Sequence, residues 1–224
     1  MIDSKKSRLA PRDTAEESEQ QYTNRYLSSH SAQNDHFEYR LGYWQLLLLD
    51  HIFSKNYSLL DVGCGTAGYH KLLSNCGKIT GIDKSKTMIN AANQLSKKSE
   101  SKRKSTFIKS NFNTWRTTEK YDVVDLSGTF GWYESWHDKE QIIHKGLSLL
   151  NKSGILIVSF VPPKTIFQAA KAIFFPSRTV VIKRKKLIEM IKRVDGVAVD
   201  EFHHRNRTFL FLSRTNENTT DLPS

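Results

Sequence analysis

Cysteine is scarce in this chain: two in 224 residues, Cys64 and Cys76. Two thiols build no disulfide framework, so a packed core must hold the fold. They read as reduced thiols in a cytosol-like compartment, hence a cytoplasmic location. Long apolar runs are missing too. No window approaches the roughly 18 apolar residues that a membrane-spanning helix needs. The opening Met1-Ile2-Asp3-Ser4-Lys5-Lys6 has no apolar stretch behind its charges, which argues against a signal peptide. Acidic residues are few beside basic ones, 23 against 34, for a formal charge of +11. That excess suits an anionic partner, nucleic acid above all. The charge is scattered and lacks interleaved aromatics, so solvation of helix ends and loops is the favoured reading. No internal repeat is present, and the length suffices for one α/β domain but not comfortably for two.

What is present centres on residues 59–73. Leu59, Leu60 and Val62 read as a short apolar strand. Gly63-Cys64-Gly65-Thr66-Ala67-Gly68 reads as a glycine-rich turn, and a helix is expected from about Ala67. Glycine takes positive φ at no steric cost and lets a ligand approach bare backbone. A helix start adds unpaired N–H groups and a partial positive charge. This is a ligand cradle at the carboxyl end of a parallel strand. A second strand, 78–83, ends on Asp83, 20 residues after Gly63, a spacing that suits a carboxylate accepting from both hydroxyls of a ribose. Gly63-x-Gly65-x-x-Gly68 also fits a dinucleotide fingerprint. Asp61 weighs against that, because it would repel a pyrophosphate and attract a ligand carrying an ammonium and a sulfonium.

On these residues the chain resembles the class I S-adenosylmethionine-dependent methyltransferases. Asp61-Val62-Gly63-Cys64-Gly65-Thr66 looks like their first motif, and Gly81-Ile82-Asp83-x-Ser85-x-x-Met88 like their second. One departure shows: the family's usual third glycine is Ala67 here. The resemblance implies a Rossmann-like α/β fold with a mostly parallel seven-stranded sheet, an antiparallel C-terminal hairpin and helices on both faces. It implies S-adenosyl-L-methionine as cofactor, held by Asp61, Gly63, Cys64, Gly65, Asp83, Lys84 and Met88. Asn111 stands where the family usually has an acid that meets the adenine amino group, and an amide oxygen can also accept there. Phe112 would neighbour the base, and Ser127 would line the site. From helices ahead of the first motif, Tyr22, Tyr26 and Arg40 are candidates for the methionyl end.

Along the chain, 1–18 read as a disordered arm and 19–214 as one domain: an N-terminal helical cap over 19–57, a cofactor-binding core over 58–160, a lid over 161–182, and a closing helix and hairpin over 183–214. Residues 215–224 read as a flexible tail. Ser85 is placed to cap a helix from Lys86 to about Ser96, with Met88, Ile89, Ala92 and Leu95 on its apolar face. Strands are expected over 105–109, 121–128 and 155–160, a helix over 139–150, and a turn over 151–154. A helix carrying Leu187, Met190 and Ile191 leads to strands over 197–202 and 208–213, joined by a surface turn. The nicotinamide-binding fold lacks such a closing hairpin. His203-His204 has no carboxylate-and-His spacing for a metal, so none is assigned.

After the fourth strand, Phe130, Trp132, Tyr133 and Trp136 offer a wall for a small organic acceptor, or core packing under the next helix. The chemistry implied by the resemblance is methyl transfer from a sulfonium, for which the protein chiefly aligns the acceptor and excludes water. A hydroxyl acceptor would benefit from a base. His137, Glu134 and Tyr133 are the nearest candidates, with His36 or His70 reaching from elsewhere. A small-molecule acceptor, methylated on oxygen or nitrogen, is the expectation. The Asn/Asp-Pro-Pro-Tyr/Phe signature of base and glutamine methyltransferases is absent, which weighs modestly against a nucleic-acid acceptor. The rivals are an RNA-modifying methyltransferase, a non-catalytic S-adenosylmethionine-binding protein, and a nicotinamide-dependent oxidoreductase. The oligomeric state is not legible.

Overall fold

The computed structural model describes residues 56–68, 70, 73, 75–97, 104–133, 135–163, 182–204 and 207–215, apart from the side chains of Trp132 and His204. The arm, Tyr22, Tyr26, His36, Arg40, Glu134, the lid helix expected over 164–175 and the tail beyond Thr215 lie outside them. Seven strands form one sheet: β1 Tyr57–Val62, β2 Cys76–Asp83, β3 Lys104–Lys109, β4 Tyr121–Asp125, β5 Leu150–Phe160, β6 Gly196–His204 and β7 Arg207–Arg214. Their order is β3-β2-β1-β4-β5-β7-β6. The first five are mutually parallel, and β7 runs antiparallel to both β5 and β6. This is the expected mostly parallel sheet with its closing hairpin.

Burial explains the order. Central strands flanked on both sides must be apolar on both faces, and Leu59, Leu60 and Val62 of β1 are all buried. The edge strand β3 alternates exposed and half-buried residues and carries Lys104 and Lys109 at its ends, charges that discourage edge-to-edge pairing. Alternation splits the core in two. Leu60, Val62, Val124, Leu156, Val158 and Leu210 face one cluster, while Leu59, Ile79, Val123, Ile157 and Phe209 face the other.

Helix α1, Lys86–Lys97, joins β2 to β3; α2, Trp136–Ser148, joins β4 to β5; α3, Arg184–Arg193, precedes β6. Helices α2 and α3 fill the first cluster with Ile142, Ile143, Leu147, Leu187, Met190 and Ile191. The two βαβ units run outward from β1 and β4 in opposite directions, so right-handed crossovers put α1 on the face opposite α2. No described helix is long and apolar enough to cross a membrane.

Several local expectations are corrected. In place of an α-helix after the glycine turn, the described residues make successive i→i+3 bonds: Ala67 N to Cys64 O, His70 N to Ala67 O and Leu73 N to His70 O. This is 3₁₀-type winding, compatible with two glycines and a left-handed Ala67 nearby. The turn over 151–154 is a bulge inside β5: Tyr121 and Val123 face Leu150 and Ile155, so six residues of β5 span three of β4. Asp122 fastens this edge. Its carboxylate takes bonds from Ser58 N at 2.7 Å, Ser58 Oγ at 2.8 Å and Asn151 Nδ2 at 2.6 Å. Helix α2 starts at Trp136 rather than Lys139, because Ser135 Oγ accepts the Asp138 amide as an N-cap. Leu95, expected on the apolar face of α1, is 47% exposed.

Candidate active site

Strand order reverses between β1 and β4, and a crevice opens at their carboxyl ends. Gly63 (φ +74°), Gly65 (φ +55°) and Ala67 (φ +55°) all lie in the left-handed region, which throws the turn outward over that crevice. The Gly63 and Cys64 amides both donate to the Ile82 carbonyl, at 2.7 and 3.1 Å, tying the turn to the end of β2. A β-carbon on Gly63 would stand 2.0 Å from Thr129 Cγ2. Thr129 is itself held by its Oγ1, which donates to the Val62 carbonyl at 3.0 Å. The two walls of the crevice therefore meet without a spare methyl between them.

At the third position the chain carries a strained residue. Left-handed backbone costs an L-residue about 1–2 kcal/mol. Ala67→Gly removes that strain but gains roughly 0.4–1 kcal/mol of unfolded-state freedom. The expected outcome is a net stabilisation of about 0.5–1 kcal/mol in urea denaturation. A lowered midpoint would mean that the turn is not left-handed at Ala67.

Asp83 sits half-buried at the end of β2. Its Oδ2 accepts the Gly65 amide at 3.0 Å and its Oδ1 the Ser85 amide at 2.9 Å, so each oxygen keeps acceptor capacity. Burial raises its pKa above the usual carboxylate range, outweighing those two amides, and the nearby Asp61 charge adds to the rise. Lys84 beside it is exposed. Ser85 caps α1, accepting the Met88 amide at 3.3 Å, and Met88 is fully buried beneath that first turn.

Asp61 is wholly buried, and its Oδ2 lies 2.9 Å from His70 Nε2, with His70 also buried and stacked on Phe107. His70 thus fastens the turn to β1. Asp125 of β4 is the in-register neighbour of Asp61, also buried, with Oδ1 accepting the Ser127 amide at 2.7 Å. Asp61, Asp83 and Asp125 thus gather three carboxyl groups at the carboxyl ends of β1, β2 and β4.

Asn111 is exposed, and its Oδ1 accepts the Asn113 amide at 3.0 Å in a local turn. Phe112 is buried in the first core cluster, under a Lys145 ammonium 4.6 Å from its ring centroid. Cys64 is buried within the cradle. Ser127 is buried, and its carbonyl accepts from Ser159 Oγ at 2.8 Å.

The aromatic wall divides. Phe130 is core, and Trp136 packs against the core with Lys186 Nζ 4.2 Å over its ring. Tyr133 is half-buried, and burial pushes its phenol up to about 12, so it stays protonated at neutral pH and can donate but not serve as a phenolate base. His137 is exposed on α2, 2.8 Å from Gln141 Nε2. A further concavity of about 420 Å³, lined by Trp115, Arg116, Gln141, His144 and Lys145, lies along the C-terminal half of α2, away from the cradle.

Sequence reasoning gave Asp125 and Lys139 no role of their own and Thr129 only a place in the loop after the fourth strand; Asp125 is the last residue of β4, Thr129 follows it in that loop and Lys139 sits on α2.

Residues 53–192 match the family model described as a methyltransferase domain. No curated protein matches the chain by sequence. Solved structures share the fold. Magnesium protoporphyrin IX methyltransferase from Synechocystis PCC 6803, crystallised with bound SAH, is 20% identical with a TM-score of 0.64, covering 80% of this chain and 83% of that one. The N-methyltransferase NodS from Bradyrhizobium japonicum WM9, in complex with S-adenosyl-l-homocysteine, is 14% identical with a TM-score of 0.67, covering 88% and 98%. A TehB-like SAM-dependent methyltransferase from Corynebacterium glutamicum is 15% identical with a TM-score of 0.59, covering 88% and 97%.

Proposed function

The chain belongs to the methyltransferase-domain family, and from that premise we propose that it methylates an oxygen or nitrogen of a small molecule with S-adenosyl-L-methionine. The observation that carries this reading is the bare backbone of Gly63 and Gly65 beside the buried acids Asp61 and Asp125, closed on one side by the Asp83 carboxylate. The donor set fits the cofactor. Two carboxylate oxygens with acceptor capacity suit a vicinal diol, and the gathered carboxyl groups suit the ammonium and sulfonium charges.

In this reading Asp83 holds the ribose. Gly63, Cys64 and Gly65 present backbone, while Met88, Asn111 and Phe112 mark the adenine side. Ser127 and Tyr133 lie toward the acceptor, and residues 19–214 act as one domain. When bound, the cofactor supplies an activated methyl on a cationic sulfur. The protein's share is orientation and exclusion of water, and an uncharged amine acceptor needs no base. Asp61 also fastens the turn through its His70 contact.

Calorimetric titration tests this. S-adenosylmethionine and S-adenosylhomocysteine should bind in the micromolar range while NADH does not. Binding of NADH with neither adenosyl compound would return the dinucleotide reading.

A further inference from the structure

The concavity along the C-terminal half of α2 encloses about 420 Å³. That lies within the roughly 300–1,000 Å³ of ordinary small-ligand sites. Its charge is of one sign. Arg116, His144 and Lys145 line it, and no carboxylate does so among the described residues.

The two permanent cations lean on the same two oxygens. Arg116 Nη1 donates to the Asn113 carbonyl at 2.8 Å and to the Trp115 carbonyl at 3.1 Å. Lys145 Nζ donates to both of these and to the Phe112 carbonyl. A guanidinium and an ammonium are thus held side by side on neutral acceptors. Burial and, after it, the Arg116 charge lower the Lys145 pKa, as expected of a crowded cation that an anion would relieve. Neighbouring acids are engaged elsewhere. Glu119 lies 2.9 Å from Lys78 Nζ and 2.9 Å from Tyr121 Oη, and Glu140 lies 2.9 Å from Arg193 Nε. The carbonyls ending α2 would oppose an anion, but two of them are covered. Lys120 donates to the Ser148 carbonyl, and Ser148 Oγ to the Lys145 carbonyl at 2.7 Å.

The two cations offer different things. Lys145 has its three N–H groups on carbonyls, so it supplies charge and fixes the 112–115 backbone. Arg116 has only Nη1 engaged among the described residues, which leaves its Nε and Nη2 edge with donors. Arg116 is exposed, so that edge meets solvent, and it matches a phosphate in two parallel bonds. His144 is exposed on the rim. Trp115 packs partly on the core and lines the same concavity, which gives a planar ring a surface to stack on.

We infer that this concavity is a second ligand site, for a nucleoside monophosphate, with its phosphate on Arg116 beside Lys145 and its base on Trp115. A phosphate monoester carries about 1.5–2 negative charges at pH 7, more than a carboxylate brings to a pair of cations. The aromatic base accounts for the indole, which a bare anion would leave unused.

The test is calorimetry on the full chain at fixed ionic strength. The ligands are the common nucleoside monophosphates, their nucleosides and inorganic phosphate. At least one monophosphate should bind about tenfold or more tighter than both its nucleoside and inorganic phosphate. Arg116→Gln should weaken it at least about tenfold, and Arg116→Lys should recover part of the loss. Trp115→Leu should weaken it about fivefold or more and change inorganic phosphate under threefold. Asp83→Ala, which alters the cradle, should leave it within about threefold. Nucleosides binding as tightly as monophosphates, an unaffected Arg116→Gln, or no monophosphate binding would each overturn the inference. Inorganic phosphate binding as tightly would overturn the nucleotide assignment. A loss in Asp83→Ala equal to that in Arg116→Gln would overturn the inference by placing the ligand in the cradle. A single-stranded RNA oligomer runs in parallel, and its binding in preference to every monophosphate would overturn it in favour of a nucleic-acid surface.

Discussion

Asp83→Ala is expected to weaken S-adenosylhomocysteine binding at least about a hundredfold, since each hydrogen bond from a ribose hydroxyl to a charged carboxylate contributes roughly 1.5–3 kcal/mol. The substitution also frees the Gly65 and Ser85 amides that Asp83 now holds, slackening the turn as well as removing the ribose partner. Calorimetry measures the loss, and a change of less than threefold would remove Asp83 from the ribose.

A pH series adds a second check. Burial, the largest cause, raises the Asp83 pKa above 3.8 in the folded protein. A raised carboxyl pKa means the folded state holds its proton more tightly than the unfolded chain. The stability it contributes is therefore present below 3.8 and lost as pH rises through the folded value. At neutral pH the ionised group is a cost that a ligand can offset. Binding should thus weaken as pH falls through the raised value, beginning above the ordinary carboxylate range, by up to about tenfold per pH unit. In Asp83→Ala that component should vanish.

Gly63→Ala is the second large effect. Its β-carbon would lie 2.0 Å from Thr129 Cγ2, and its φ of +74° is one that L-residues rarely adopt. Left-handed strain of about 1–2 kcal/mol and overpacking of about 1–3 kcal/mol together predict a destabilisation near 3 kcal/mol. The two parts separate in a double variant. Thr129→Ser deletes the clashing methyl while keeping the hydroxyl that donates to Val62. Added to Gly63→Ala, it should return about 1–2 kcal/mol and leave the backbone strain behind. Urea denaturation of the four proteins measures this. Strict additivity of the two substitutions would place the crevice walls farther apart than described.

The parts legible in the sequence are those whose cause is local. Leu59, Leu60 and Val62 had to be a buried strand because nothing polar interrupts them but Asp61. Gly63 and Gly65 had to turn because few other residues hold a left-handed backbone cheaply. Asp83 was legible from spacing, and Ser85 as a cap from its place one residue before α1. The closing hairpin showed as two apolar runs around a polar turn. The winding after the glycine turn was misread, because the left-handed Ala67 that interrupts it is indistinguishable in sequence from a helical alanine. The turn at 151–154 was misread for a related reason. A bulge is defined by its partner strand, and Tyr121 lies about thirty residues away.

By itself, then, the sequence determined the strand order's raw material, the glycine turn and the acid that ends β2, since steric and periodic constraints act between near neighbours. Only the tertiary structure decided that Asp61 is buried against His70. It also set Thr129 against the turn and brought Arg207 to Ser159. Thr129 meets Val62 across 67 residues and Arg207 meets Ser159 across 48. Contacts at such separation exist only once the sheet has assembled, because it is strand pairing, not chain neighbourhood, that brings those side chains to one edge.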